Sequence, residues 1–242
     1  QGEDIKDLAK EYADLNGDSL VNVSAKERKK ALVDYALPKN IKKMQADMEK
    51  YKIFYDKWFF ESELHKSGAV KAVVDLLTKK GLTYEKEGAV WYKNKEVLTQ
   101  KLLKEGKSQK YIDNLELKDD VLIRQNGNPT YFTADIAYHK NKFDRGFTTL
   151  IDVWGADHHG HVMRMKGAMD AIGYDGDKLN VVLMQLVKLV KDGELVKMSK
   201  RTGKAIQLGD LLDEVPVDSA RFLFNTKEAN TQMDFDLDLA VS

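Results

Sequence analysis

The chain has 242 residues, 43% of them hydrophobic and 32% charged, a globular composition long enough for one large domain or two small ones. Its 39 Lys and Arg balance its 39 Asp and Glu, so no global field draws in a polyanion and any phosphate binding must be local. The absence of cysteine excludes disulfides, thiolate zinc sites and cysteine nucleophiles. No apolar run approaches the ~20 residues of a membrane span and no signal-peptide pattern opens the chain, so a soluble cytoplasmic protein is expected. The chain starts at Gln1 rather than Met, as a piece cut from something longer would.

Residues 1–36 read as helical and charged, with a break at "LNGDSLVN". "PKNIKKMQADMEKYKIFYDKWFF" carries Ile41, Met44 and Met48 at helical spacing. "SGAVKAVVDLLTKKG" repeats that spacing with Val70, Val73, Val74 and Leu77, and Gly81 is the expected C-cap. "YEKEGAVWYKNK" and "VLIRQNGNPTYF" read as hairpins, the second turning at Asn126-Gly127. Thr133 is then the expected cap of a helix beginning "ADIAYHKNK".

From about residue 147 the pattern changes. "FTTLIDVWG" predicts a short apolar strand ending in glycine, and "HGHVMRMKGAMDAIG" a helix with Val162, Met165, Met169 and Ile172 on one face. "LNVVLMQLVKLV" is apolar almost throughout and reads as one buried strand. Strand, helix, strand is the βαβ unit of a parallel sheet. Asp192-Gly193 predicts a tight turn that returns "ELVKMSK" beside the preceding strand. Two short helices follow, "LGDLLDEV" and one capped by Asp218, before an acidic tail, "DFDLDLA".

Three stretches carry chemistry. In "GELVKMSKRTGKAIQ", Lys197, Lys200, Arg201 and Lys204 put four cations within eight residues. Such a loop is either an ordinary solvated surface or two mobile ammonium groups, Lys197 and Lys200 flanking Ser199, closing over a polyphosphate. It is not a Walker loop, because the upstream glycine and the Ser/Thr after the lysine are missing. In "VWGADHHGH", Gly155 and Asp157 sit where a strand gives way to a helix. Ligands of open α/β sheets bind there, although a simple helix cap has the same pattern. Three histidines, His158, His159 and His161, raise the question of a metal, but no known ligand spacing is completed, and none is assigned. In "PTYFTADIAYH", Tyr131 and Asp135 lie four apart at a helix start. A carboxylate beside an aromatic ring suits a guanidinium, and equally suits a helix dipole with a core tyrosine.

"KMSKR" resembles the second signature of class I aminoacyl-tRNA synthetases. "VWGADHHGHVMRMKGAMDAIGY", "VLMQLVKLVKDGELVKMSKRTGKAIQLGDLLDEV", "MDFDLDLA", "ALPKNIKKMQADMEKY" and "NPTYFTADIAYHKNKF" together are similar to the bacterial arginyl-tRNA synthetase family, over nearly the whole chain and least around residues 92–120. The resemblance implies an α/β fold: a partial Rossmann-like parallel sheet with a mixed α+β insertion. It divides the chain into the helical end of a first half-fold (1–36), the insertion (37–120), the second half-fold with the basic loop (121–215), and the start of a helical connection (216–242). It implies ATP, with Mg2+, as co-substrate and no tightly bound cofactor. Arginine is the amino acid activated and tRNA(Arg) its acceptor, with no membrane partner and a monomeric full-length protein.

By position, the resemblance assigns Lys197 and Lys200, with Ser199 between them, to the ATP phosphates, and Gly155 and Asp157 to the ribose. Met184, in "LMQLV", falls beside the adenine. Tyr131 and Asp135 fall in the arginine pocket with Asp135 on the guanidinium. His158 falls at the substrate's amino end, where many relatives have glutamine. "HHGH" fits the other class I signature letter by letter, but it ends 36 residues before Lys197, whereas the family places that signature ahead of the insertion. The true signature is therefore expected upstream of Gln1, and this polypeptide alone is expected to lack aminoacylation activity. Two alternatives stay open on the residues: another class I synthetase-like nucleotidyltransferase, and a non-catalytic nucleotide- or RNA-binding module.

Overall fold

The computed structural model describes residues 2–196 and 207–242. They form two compact units, one of Gln1–Asp56 with Leu186–Ser242 and the other of Lys57–Gln185.

The first unit opens with helices α1 (Glu3–Asn16) and α2 (Ala25–Lys50), separated at the expected break. Ser24 starts α2 through a full capping box with Glu27, each side chain taking a backbone N–H of the other. Neither helix buries a residue. They meet through the Tyr12 and Tyr35 rings, 5.1 Å apart edge to face, and a Lys39–Glu11 ion pair. Of the predicted stripe on α2, Met44 is exposed.

The second unit contains α3 (Glu61–Lys66), α4 (Ala69–Lys79), β1 (Thr83–Lys86), β2 (Ala89–Tyr92), α5 (Asn94–Lys104), α6 (Gln109–Asp113), β3 (Asp120–Ile123), α7 (Tyr131–Asp144), β4 (Leu150–Gly155), α8 (His159–Ile172) and β5 (Leu179–Met184). On α4 the predicted stripe Val70, Val73, Val74 and Leu77 is buried. The helix stops one residue earlier than expected, with Lys80 as C-cap and Gly81 just beyond it at φ +72°. The N–H groups of Gly81 and Leu82 return to the carbonyls of Thr78 and Leu77, a Schellman closure that needs glycine at the left-handed position.

β1 and β2 form the first predicted hairpin, and β3 adds antiparallel to β2. The second predicted hairpin keeps its turn, with Gly127 N–H on the Arg124 carbonyl at 2.8 Å. Its return is a single bridge, Ile123 to Pro129, flanked by Arg124 N–H on the Asn128 carbonyl and Thr130 N–H on the Leu122 carbonyl, and it ends where Thr130 caps the next helix. Helix α7 therefore starts earlier than the sequence suggested. Thr130, not Thr133, is its cap, and the Thr133 hydroxyl is committed instead to the Leu122 carbonyl at 2.7 Å.

β4 and β5 pair in parallel from Leu150↔Leu179 to Gly155↔Met184, with α8 between them in sequence, so the βαβ unit is present as predicted. Met165, Met169 and Ile172 of α8 are buried and Val162 partly so. The core of this unit gathers the α4 stripe, Tyr92, Leu122, Ile136 and these α8 residues.

The chain then completes the first unit with β6 (Val187–Lys191), β7 (Glu194–Leu195), α9 (Leu208–Glu214), α10 (Val217–Phe224), β8 (Met233–Asp236) and α11 (Leu237–Val241). "LNVVLMQLVKLV" is thus two strands in different sheets rather than one buried strand. In β5, Leu179 is buried while Asn180, Val182 and Met184 are exposed, so one face is covered and the run of valines does not mark burial on both sides. β6 pairs antiparallel with β7 across Asp192-Gly193, as expected, and in parallel with β8. Pro216 rather than Asp218 precedes α10. Asp218 lies in the first turn, where its charge favours the helix, and pairs with Lys52. The acidic tail becomes β8 and α11, with Asp236 capping α11 through the N–H groups of Asp238 and Leu239. Leu189, Leu211, Leu212, Val215, Met233 and Phe235 form the core here.

Leu77 is 0% exposed at the centre of the second unit's core. Replacing it with alanine removes buried methyl groups and leaves a cavity, so Leu77→Ala is expected to lower the unfolding free energy by about 2–5 kcal/mol, read as a lower urea midpoint by tryptophan fluorescence.

Candidate substrate site

The C-terminal ends of β4 and β5 meet at Gly155 and Met184, which are register partners. A single 3₁₀ turn, Ala156–His158, then leads into α8. Gly155 has an ordinary extended backbone, φ −65° and ψ 151°, that does not itself require glycine. A Cβ at this position would lie 2.5 Å from Asp157 Oδ1. The Asp157 carboxylate folds back over that gap, its side chain 83% exposed and 3.8 Å from His158 Nε2.

Tyr131 and Asp135 stand one turn apart at the start of α7. Tyr131 is exposed, with the Arg124 guanidinium 5.8 Å from its ring centre. The Asp135 carboxylate is partly exposed, and its Oδ2 lies 3.3 Å from Nε2 of His161 on α8. The two atoms are not aligned for a hydrogen bond, and Nε2 makes none among the described residues. The His161 ring is held between Phe132 at 5.5 Å and Trp154 at 5.3 Å. Trp154 also reaches His158 and His139, at 6.4 Å and 6.1 Å between ring centres. This indole, from β4, therefore connects the surroundings of Asp135 with those of Asp157.

Behind Asp135 lies an ion network. His139 donates from Nδ1 to the Asp135 carbonyl at 2.7 Å and from Nε2 to Asp152. Lys142 donates to the other Asp152 oxygen at 2.6 Å. Both imidazole nitrogens face oxygen atoms. Asp152 is buried. Burial pushes its carboxyl up, but the hydrogen bonds from His139 and Lys142 outweigh that and hold it below the usual carboxylate range. A second pair joins α8 to β3: Arg164 grips both oxygens of Asp120, Nε to Oδ2 at 3.0 Å. There burial prevails, and the Asp120 carboxyl is raised despite Arg164. Nearby, the buried Tyr92 hydroxyl has no hydrogen-bond partner among the described residues, and burial with the neighbouring acids raises it above the usual phenol range.

The structure thus brings Gly155, Asp157, His158 and Met184 to one strand end, with Tyr131 and Asp135 on a helix of the same unit. Lys197, Ser199 and Lys200 lie outside the described residues. The three histidines diverge: His158 meets Trp154 and Asp157, His161 meets Asp135, and His159 lines a cleft of about 890 Å³ between α5 and α8. Among the described residues no group of three or more His, Asp or Glu is gathered as for a metal. Sequence reasoning missed Trp154, His161 and the His139–Lys142–Asp152 network. One signal was present: Asp152 is a lone acid inside the apolar strand "LIDVWG", and a buried charge calls for partners.

Residues 26–241 match the family model for the catalytic domain of class I (R) tRNA synthetases. The chain belongs to this family. It is 51% identical over all 242 residues to an arginine–tRNA ligase of Ruminiclostridium cellulolyticum. It is 54% identical over 240 residues to that of Caldanaerobacter subterraneus. It spans about 40% of the length of each of these relatives. A solved Campylobacter jejuni chain described as an arginyl-tRNA synthetase superposes with a TM-score of 0.79 at 35% identity, covering 98% of this chain and 47% of that one. A Mycobacterium tuberculosis methionyl-tRNA synthetase shares the fold alone, with a TM-score of 0.61 at 11% identity over 91% of this chain and 56% of that one. The class I catalytic-domain fold expected from the sequence is the fold found.

In this family member Asp152 is expected to be a structural carboxylate. Asp152→Asn leaves the buried His139 and the partly buried Lys142 without their anion and should destabilise the chain by about 3–5 kcal/mol at neutral pH. The folded carboxyl is lowered, so its contribution is present above the ordinary aspartate value of ~3.9 and is lost as pH falls through the folded value below it. Urea titrations from pH 7 down to pH 3 should show the gap between wild type and variant closing only at the acid end.

Proposed function

We propose that this chain carries the arginine and adenosine subsites of an arginine–tRNA ligase. In that reaction a carboxylate oxygen of arginine bonds to the α-phosphorus of ATP, supplied with Mg2+, and pyrophosphate leaves. A terminal ribose hydroxyl of tRNA(Arg) then takes the arginyl group and releases AMP. The observation that carries the reading is Asp135, a partly exposed carboxylate with no hydrogen bond among the described residues, in the same unit as the paired strand ends Gly155 and Met184. A carboxylate with free lone pairs beside a tyrosine suits a planar guanidinium, which donates in pairs and stacks. A strand end with an exposed aspartate suits a ribose diol.

Asp135 then binds the guanidinium and Tyr131 flanks it. Gly155 and Asp157 hold the ribose, Met184 borders the adenine, and His158 meets the amino end of the substrate. Lys197 and Lys200, with Ser199, grip the phosphates and stabilise charge as it develops on the leaving pyrophosphate. The catalysis required of the protein is largely alignment of two bound reactants. On this reading residues 1–36 close a first half-fold, 37–120 are an insertion, 121–215 a second half-fold and 216–242 a helical connection. Among the described residues no helix is long and apolar enough to cross a membrane; the proposed enzyme is a cytoplasmic monomer.

Two substitutions separate the subsites. Asp135→Ala should weaken arginine binding by about 10- to 100-fold, equivalent to ~1.4–2.8 kcal/mol, and leave ATP binding within about twofold, both measured by isothermal titration calorimetry. An equal loss for both ligands would reject the pocket assignment. Lys200→Ala should do the reverse, weakening ATP about tenfold or more and sparing arginine. It should do so without the steep salt dependence that marks a surface used only for RNA.

A further inference from the structure

Nε2 of His161 is buried, lies 3.3 Å from Asp135 Oδ2, and makes no hydrogen bond among the described residues. A ring nitrogen bearing a proton so close to a carboxylate would turn to donate to it. The His161 ring is instead held by Phe132 and Trp154 in an orientation that does not. With its proton on Nδ1, the imidazole turns an Nε2 lone pair toward the Asp135 carboxylate, so that two acceptors face one another. Neither can satisfy the other, and a buried acceptor left unpaired is unfavourable. A donor group that reaches both removes that penalty.

We propose that His161 is a specificity-determining residue of the site, its Nε2 accepting a hydrogen bond from the same guanidinium that pairs with Asp135. This rests on the reading of Asp135 as the guanidinium carboxylate. A guanidinium is planar with five N–H donors at fixed angles, so it can give one edge to the carboxylate and a further N–H to the imidazole. Citrulline has the same shape but a carbonyl oxygen in place of one NH2 group and no charge. It presents an acceptor to a site lined by two acceptors. The aromatic clamp on His161 fixes the distance between them, so discrimination is built into the packing of α7, α8 and β4.

The test uses the 242-residue chain, with 15N-histidine NMR at pH 7.5 and calorimetric titration with arginine and citrulline. In the free wild type the His161 Nε2 resonance should fall in the unprotonated range, and arginine should move it in the direction of hydrogen-bond acceptance while citrulline leaves it in place. His161→Phe, which keeps the ring in the clamp, should weaken arginine about tenfold without lowering the melting temperature by more than a few degrees. His161→Gln, which returns an acceptor, should recover part of that loss.

A protonated Nε2 in the free chain overturns the proposal, as does His161→Phe binding arginine like the wild type. If Asp135→Ala loses arginine while His161→Phe keeps it, only His161 is misassigned. If both variants bind like the wild type, or the wild type gives neither a shift nor heat with millimolar arginine, the guanidinium reading of Asp135 falls with it.

Discussion

Asp152 is the point on which the second unit's geometry turns. It is a charge buried in the middle of a short apolar strand, a placement tolerated only with partners. His139 and Lys142 of α7 supply them. Because these residues are three apart on one helix, they fix both the height and the rotation of α7 against β4. His139 also bonds the carbonyl of Asp135, so the rotation of the helix and the placing of its first turns are set together. Apolar packing alone would hold α7 against the core through Phe132, Ile136 and Ala137, but it is less directional. The ion network selects one rotation.

That rotation has consequences at the other end of β4. Trp154 follows Asp152 by two residues, on the same face of the strand, and so points toward the space that α7 and α8 leave. There it meets His139, His158 and His161. The parallel pairing of β4 with β5 is the second constraint, since it brings Gly155 beside Met184 at the strand ends. One strand thus contributes the structural anchor, the aromatic spacer and the glycine at which the chain turns toward Asp157. Alternation along β4 separates the roles: Leu150, Asp152 and Trp154 face inward while Ile151 and Val153 are exposed.

How much of this could be read beforehand depended on how local each signal is. The α4 stripe, the βαβ order and the Asp192-Gly193 turn are properties of adjacent residues, and they came through. The cap of α7 did not, because Thr130 and Thr133 are both good caps, and both hydroxyls donate to carbonyls of β3, a strand nine to eleven residues away in sequence. The split of "LNVVLMQLVKLV" into β5 and β6 was equally hidden, since hydrophobicity reports burial and not which sheet a residue joins. In the site, Gly155 and Asp157 share a turn, and Tyr131 and Asp135 share a helix face, so spacing could suggest them. His161 could not be paired with Asp135 from spacing, because the two belong to different helices joined by a strand.

The two aspartates of this region differ in how much of their hydrogen-bonding capacity is already used. Asp152 is buried and has both oxygens occupied by resident donors; a ligand would have to break those bonds in a low-dielectric setting, where they are strongest. Asp135 is partly exposed, has no hydrogen bond to its side chain among the described residues, and faces a ring nitrogen in the same condition. Net charge does not distinguish them, and neither does position, since both lie on elements that pack together. The distinction lies in unspent hydrogen-bonding capacity. Asp152 has no such capacity left, whereas Asp135 and the neighbouring Nε2 of His161 still have it.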